Sequence, residues 1–436
     1  MEEPIYAPDT LKYIELHRKL INDLRGRKKI NVVFIVSSLT MWQHQQIYDL
    51  MVGNKFFNPV IVFVPFLAYS EEENMQTLLQ LRKYFSARNT PFLVYDEMDF
   101  SKESFRELFN PDILFYPQWY NGNYDANVDI SSFFDRLICL IPYGICITQD
   151  LFCDFDANNF AWKQYQTSPI HLEIIKRQSK CRGNNVVIVG YPKADVYFQR
   201  PESSPWKKQD KVKKKIIWAP HFTITENITA LNFSHFLQMH EIMWKLANSY
   251  KETVQFAFKP HPRLMTELYK HPDWGKERTN AYYDMWSKGD NTQLETGNYE
   301  ELFKTSDAMI HDCGSFMAEY HYIQKPVFFI TNDPDKFKKA QNLSEIGCRA
   351  IDACYVGDTN QIPEFIDKVV ISNEDPMRQT RKKFLEEVLC QPLKKTSSQL
   401  IFEDICNELY IPYKGKPLEV ITWLKRMYFT YFRTHE

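Results

Sequence analysis

The chain has 436 residues, 44% hydrophobic and 25% charged, with only 13 glycines. That is material for two or three folded domains and excludes a disordered, collagenous or repeat protein. Lysine plus arginine (53) nearly cancel aspartate plus glutamate (55) for a formal net charge of −2, so no whole-protein field favours nucleic acid and any anion site must be local.

In chain order, the acidic start Met1-Glu2-Glu3-Pro4 lacks the basic and apolar stretches of a secretory signal, which predicts a protein that stays in the cytoplasm. A polar helical leader over 11–25 follows. Short runs of Val, Ile and Phe then alternate with longer amphipathic stretches, the pattern of strand and crossover-helix units in a parallel sheet. Strands are predicted over 31–36, 60–65, 92–95, 113–116, 137–141 and 185–189, with helices over 40–52 and 71–87. The strands read as unbroken apolar runs because both faces of a parallel sheet are covered. None of these runs reaches the ~18 to 20 residues that span a bilayer.

The stretch Arg200-Pro201-Glu202-Ser203-Ser204-Pro205-Trp206-Lys207-Lys208, with Lys211 and Lys213 to Lys215 behind it, has the composition of a domain linker. From Ile216 the alternation resumes, with strands over 216–219, 254–258, 308–310 and 327–330 and a helix over 233–251. The last stretch, 420–433, mixes Trp423, Leu424, Met427, Tyr428, Phe429, Tyr431 and Phe432 with Lys425, Arg426 and Arg433. It is read as a helix packing back across both domains, a pattern that also suits a membrane interface. The organisation expected is therefore an N-terminal Rossmann-like domain over 1–200, a linker over 201–215, a C-terminal Rossmann-like domain over 216–410 and an amphipathic tail over 411–436. Ligands of such sheets sit beyond the carboxyl ends of the strands, so two sheets facing each other would enclose a cleft. Nine cysteines scattered without CxxC or metal spacing read as reduced thiols.

Four motifs follow predicted strands. Gly190-Tyr191-Pro192-Lys193-Ala194-Asp195 reads as a tight turn. Trp218-Ala219-Pro220-His221-Phe222-Thr223 ends a strand and leaves His221 at the rim. In Phe258-Lys259-Pro260-His261-Pro262-Arg263 two prolines stiffen the backbone around an imidazole flanked by Lys259 and Arg263, which suits a phosphate oxygen. In Ser306-Asp307 through Asp312-Cys313-Gly314-Ser315 to Glu319-Tyr320, a small-residue turn opens a helix whose first N–H groups, with the Ser315 hydroxyl, suit an anion. Glu319, one turn on, can accept ribose hydroxyls. There is no GxxxxGK[ST], GxSxG, HExxH or GxGxxG, so P-loop hydrolysis, serine hydrolysis, zinc proteolysis and classical dinucleotide binding lack support.

Taken in this order, the motifs resemble the CDP-glycerol glycerophosphotransferase family of teichoic-acid and capsule polymerases, over roughly 137–409. The resemblance implies a GT-B fold: two Rossmann-like doubly wound α/β domains facing a central cleft, the donor held mainly by the second, and a C-terminal helix crossing back. It implies transfer of glycerol phosphate, or a related polyol phosphate, from a CDP-linked donor to a hydroxyl of a lipid-linked or polymeric glycan acceptor. The site would be the inner membrane face, reached as a peripheral protein, with no nucleic acid partner. By position, His261 looks like the family's phosphate-contacting histidine, and Asp312, Gly314, Ser315 and Glu319 like its nucleotide and pyrophosphate loop. Ser397 and Ser398 match its small-residue turn before the last helix. Where the family carries a His-Gly-Thr-Pro segment with the proposed base, this chain has Ile141-Pro142-Tyr143-Gly144-Ile145, and its Ala-Pro-Thr-Phe-Arg becomes Ala219-Pro220-His221-Phe222-Thr223.

The expected chemistry is attack of an acceptor hydroxyl on the β-phosphorus with CMP leaving, a reaction served by alignment and charge stabilisation. Lys259, His261 and Arg263 would steady the phosphates. His221 is the expected base, ahead of His44 and Asp150, because imidazole titrates near neutrality. No DxD-type cluster is evident, so no metal and no cofactor is expected. A nucleotide-sugar glycosyltransferase and a non-catalytic nucleotide-binding relative are the competing readings, since one scaffold hosts many donors.

Overall fold

The computed structural model describes residues 8–149, 154–224, 233–392 and 394–413. The chain divides into two units, one of Met1–Gly144, Phe152–Asp195 and Cys390–Glu436, the other of Ile145–Leu151 and Val196–Leu389.

The first unit is built on seven strands: β1 (Ile30–Val36), β2 (Phe57–Phe63), β3 (Leu93–Val94), β4 (Ile113–Tyr116), β5 (Leu137–Leu140), β6 (Lys163–Gln166) and β7 (Val186–Ile188). All pair in parallel, in the order β3-β2-β1-β4-β5-β6-β7. β1 shows why its sequence is apolar throughout. Val32, Phe34 and Val36 enter one core with Met51, Phe85 and Ile405, while Val33 and Ile35 enter the other with Phe105 and Phe133. Phe34 lies flat on Phe115 of β4, with ring centroids 4.4 Å apart. The helix Glu71–Ala87 starts at a capping box in which Ser70 and Glu73 satisfy each other's backbone N–H, a device that stabilises a helix start by ~1 kcal/mol.

β6 was not expected, because Lys163-Gln164-Tyr165-Gln166 carries no apolar run. Its polar groups are satisfied internally instead. The buried Gln164 side-chain amide donates to the Asn158 carbonyl at 2.7 Å and to Asn185 Oδ1 at 2.9 Å. Lys163 and Tyr165 reach the helix Ser397–Glu408: Lys163 Nζ is 3.1 Å from Glu408 Oε1, and the Tyr165 hydroxyl donates to Asp404 Oδ2 at 2.9 Å. That helix packs Ile401, Ile405 and Cys406 into the first unit's core. The boundary expected at 410 therefore shifts to 389/390, because the last described helix buries its apolar face on the first sheet.

The second unit carries β8 (Lys214–Ala219), β9 (Val254–Phe258), β10 (Thr292–Leu294), β11 (Ala308–His311), β12 (Val327–Ile330) and β13 (Tyr355–Gly357), also all parallel. Their order is β10-β9-β8-β11-β12-β13. β10 and β13, three residues each, are too short to leave a run in the sequence. Trp218 anchors the core, its ring stacked against Phe258 (4.9 Å) and against Phe236 (5.9 Å). The stretch expected as a linker over 201–215 packs on this unit: Trp206 Nε1 donates to Thr305 Oγ1 at 3.0 Å, the Lys207 N–H donates to Gln293 Oε1 at 2.8 Å, and β8 already begins at Lys214. Its prolines and lysines hid a buried tryptophan.

Each sheet winds outward from its first strand, then returns to that strand's other side. The reversals fall between β1 and β4 and between β8 and β11. At such points the loops leaving the carboxyl ends diverge and open a crevice.

Candidate functional site

The second unit's crevice is framed by three strand ends held level by register. Trp218 pairs with Phe258 and Ala219 with His311, so the residues that follow (Pro220-His221, Lys259-Pro260-His261 and Asp312-Cys313) emerge side by side. The β8–β9 ladder runs past the strands: the Lys259 N–H donates to the Trp218 carbonyl at 2.8 Å and that of His261 to the Pro220 carbonyl at 3.0 Å. Pro260 and Pro262 have no N–H to compete, and His261 is fixed against His221, ring centroids 5.2 Å apart. Phe222 lies 4.5 Å from His261, and the Arg263 guanidinium covers the Phe222 ring at 4.6 Å.

Asp312 organises this rim from beneath. It is 1% exposed, and its two oxygens accept the backbone N–H groups of His221 (2.7 Å) and His235 (2.5 Å). The His235 ring stands 3.6 Å from the same carboxylate, which raises its pKa against the opposing effect of burial. Burial pushes His221 down to about 4. Burial first, then His221, Arg263 and Lys259, hold His261 well below the usual imidazole range. Both rings are neutral at physiological pH.

Lys259 is buried, its ammonium 5.7 Å from the Tyr299 ring. Glu319 is buried too and accepts the hydroxyls of Tyr197 (2.6 Å) and Tyr299 (3.1 Å). Gly314 opens the short helix Gly314–Glu319, and a side chain at 314 would meet the Phe233 ring at 3.1 Å. Ser315, next along, is exposed. Structure thus gathers His221, Lys259, His261, Arg263, Asp312, Gly314, Ser315 and Glu319 onto one unit, at the ends of three adjacent strands or on the helix that follows.

Ser397 and Ser398 are not in this cluster. They belong to the first unit, where their N–H groups donate to Asp195 at 2.8 and 2.9 Å and the Ser398 hydroxyl adds a bond of 2.8 Å. Gln391 Nε2 donates to the same carboxylate at 3.2 Å, and its Oε1 accepts the Tyr191 N–H at 2.9 Å. Gly190 makes room for this arrangement: its φ is +85°, and a Cβ there would lie 2.6 to 2.8 Å from Pro392, Gln391 and Ser397. The turn Gly190 to Asp195 is therefore a clasp on the last described helix: Thr396 is the helix's own N-cap, and Asp195 accepts the next two N–H groups, those of Ser397 and Ser398.

His44 is fully buried among Phe34, Trp42 and Phe115, and burial lowers its pKa to about 3. Among the described residues, neither of its ring nitrogens has a hydrogen-bond partner. It has no surface from which to serve a substrate hydroxyl. Tyr143, which the sequence resemblance sets against the family's histidine, is exposed, and its carbonyl accepts the Tyr191 hydroxyl at 2.8 Å. Asp150 and the tail from 414 onward lie outside the described residues.

Sequence reasoning missed Thr223, Phe233, Tyr197 and Tyr299. Thr223 was visible only as the end of a motif and Phe233 only as the first residue of a predicted helix. The tyrosines meet Glu319 from 122 and 20 residues away, a separation that leaves no local signal. Among the described residues no helix is long and apolar enough to cross a membrane, and no group of three or more His, Cys, Asp or Glu is placed to hold a metal ion.

Residues 154–406 match the family model of CDP-glycerol:poly(glycerophosphate) glycerophosphotransferase. The chain belongs to that family and is a transferase of its type. In fold it is similar to the wall teichoic acid polymerase TagF (TM-score 0.57, 13% identity, 92% of this chain and 96% of that one). A TagF variant soaked with CDPG gives 0.56 at 13% identity, with 92% and 96% covered. S. aureus MnaA in complex with UDP gives 0.54 at 14%, with 90% and 100% covered. Together with the two doubly wound sheets, these likenesses give the fold as GT-B. No curated protein matches the chain.

Proposed function

We propose that this transferase moves glycerol phosphate, or a related polyol phosphate, from a CDP-linked donor to a hydroxyl of a lipid-linked or polymeric glycan acceptor, building a cell-surface polymer of the teichoic-acid or capsule type. The acceptor oxygen attacks the β-phosphorus, the bond from that phosphorus to the bridging oxygen breaks, and CMP leaves with the bridging oxygen. The hydroxyl proton passes to a base or to water.

The observation that supports this reading best is the convergence of His221, Lys259, His261 and Arg263 on level strand ends beside the β8/β11 reversal. Two neutral imidazoles and two cations at one crevice suit a diphosphate, whose charge they offset without a metal cluster. In this reading His261, Lys259 and Arg263 contact the phosphates, and the helix start at Gly314 and Ser315 lies against the same group. Glu319, set by its two tyrosines, faces the ribose, and Asp312 holds the rim. Work at the inner face of the cell membrane, as a peripheral cytoplasmic protein, completes the proposal; on sequence alone, 420–433 supplies the contact.

A donor panel tests it. CDP-glycerol or CDP-ribitol should raise the melting temperature and release CMP when a polyol-phosphate-primed acceptor is added. Stabilisation by UDP-sugars or CMP-sugars, with none from either CDP-polyol, would reject the donor assignment. Deleting the chain from Val420 onward should reduce sedimentation with anionic liposomes; unchanged partition would remove the membrane contact.

A further inference from the structure

The hydrogen bonds around His221 fix which of its ring nitrogens carries the proton. Thr223 Oγ1 lies 2.9 Å from His221 Nδ1 and also accepts the Phe233 N–H at 3.0 Å. A hydroxyl has one proton. Among the described residues the only acceptor within reach of that proton is His221 Nδ1. The Thr223 backbone N–H, 3.4 Å away, is directed at the same nitrogen. A nitrogen facing two donors is an acceptor, so in the neutral ring the proton sits on Nε2. The same logic applies next door, where the Arg263 N–H donates to His261 Nδ1 at 3.2 Å. Neither Nε2 has a partner among the described residues.

We propose that His221 is a hydrogen-bond donor to the anionic substrate, presenting Nε2–H beside that of His261, and that Thr223 is the positioning residue that locks its tautomer. This replaces the sequence-derived expectation that His221 is the general base. An Nε2 that already holds a proton, on a ring whose other nitrogen is occupied, has no lone pair to offer an acceptor hydroxyl. It can instead donate to a phosphoryl oxygen as charge builds there. The inference deepens the reading given under Proposed function and rests on it for the identity of the anion.

The test has a spectroscopic and a kinetic arm, both on the full chain. In protein carrying ¹⁵N-labelled histidine, with the His221 signals assigned by their loss in His221→Gln, Nε2 should show the shift of a protonated pyrrole-type nitrogen and Nδ1 that of a pyridine-type one. Inorganic pyrophosphate should move the Nε2 signal, and Thr223→Val should relax the preference between nitrogens. A proton found on Nδ1, or no response to pyrophosphate, overturns the proposal. In the kinetic arm His221→Gln keeps a donor near the Nε2 position but is no base, so kcat should stay within about tenfold of wild type while His221→Ala falls about a hundredfold. Equal losses in the two variants would restore the base. Should the tautomer and the pyrophosphate response appear without turnover of any CDP-polyol, the donor assignment fails and this inference stands; turnover with the proton on Nδ1 is the reverse case.

Discussion

The two units share one winding and differ in what their crevices hold. In each, the chain lays down two strands to one side of the first and the rest to the other. At the second unit's reversal, loops stiffened by Pro220, Pro260 and Pro262 carry two imidazoles, a buried lysine and an arginine to level strand ends. At the first unit's reversal the corresponding histidine, His44, is sealed among aromatic rings, with neither nitrogen partnered among the described residues. Topology supplies the place for a ligand; the residues after the strands decide whether charge is assembled there.

Acid probes what the units have in common, and with the largest expected effect. Burial lowers His17 to about 4 and His44 to about 3 in the first unit, and His221 and His311 to about 4 and His321 to about 3 in the second. Because these folded values lie below the ordinary 6.5, the unfolded chain binds more protons between about pH 6.5 and 4. Stability present above 6.5 is therefore lost as pH falls through that window, by on the order of 1 kcal/mol per pH unit for each histidine. Melting temperatures should be flat above pH 7 and drop steeply between pH 6 and 5; a flat profile to pH 5 would mean the imidazoles are not buried as described.

Three substitutions probe the difference. His261→Ala should lower transfer by about 10²- to 10³-fold with little change in melting temperature, the loss expected when one preorganised contact to developing charge is removed. Gly190→Ala, in the first unit, should cost about 3 kcal/mol in denaturant unfolding, since a methyl at φ +85° would crowd Pro392, Gln391 and Ser397. Asp195→Ala should cost roughly 2 kcal/mol, from the buried donors of Ser397 and Ser398 that it leaves unmatched. A catalytic loss from Gly190→Ala without loss of stability would move the clasp into the chemistry.

The strands that read as apolar runs, such as β1, β4, β9 and β12, were legible because both their faces are buried. β6 was not, since Gln164 is held by a network of side-chain amides that apolar patterning cannot register. The motif after β9 was legible from its prolines and cations. The meaning of Gly190 to Asp195 was not, because its partners Gln391, Ser397 and Ser398 stand some two hundred positions away. Nor did composition reveal which nitrogen of His221 holds its proton; that rests on Thr223 turning back onto the ring.

The most direct measurement is calorimetric titration of CDP-glycerol into the wild-type chain and into His261→Ala. Saturable binding by wild type, weakened at least tenfold by the substitution while the protein remains folded, is the predicted result. Equal affinity for both proteins would mean that the diphosphate is not held at the ends of β8, β9 and β11.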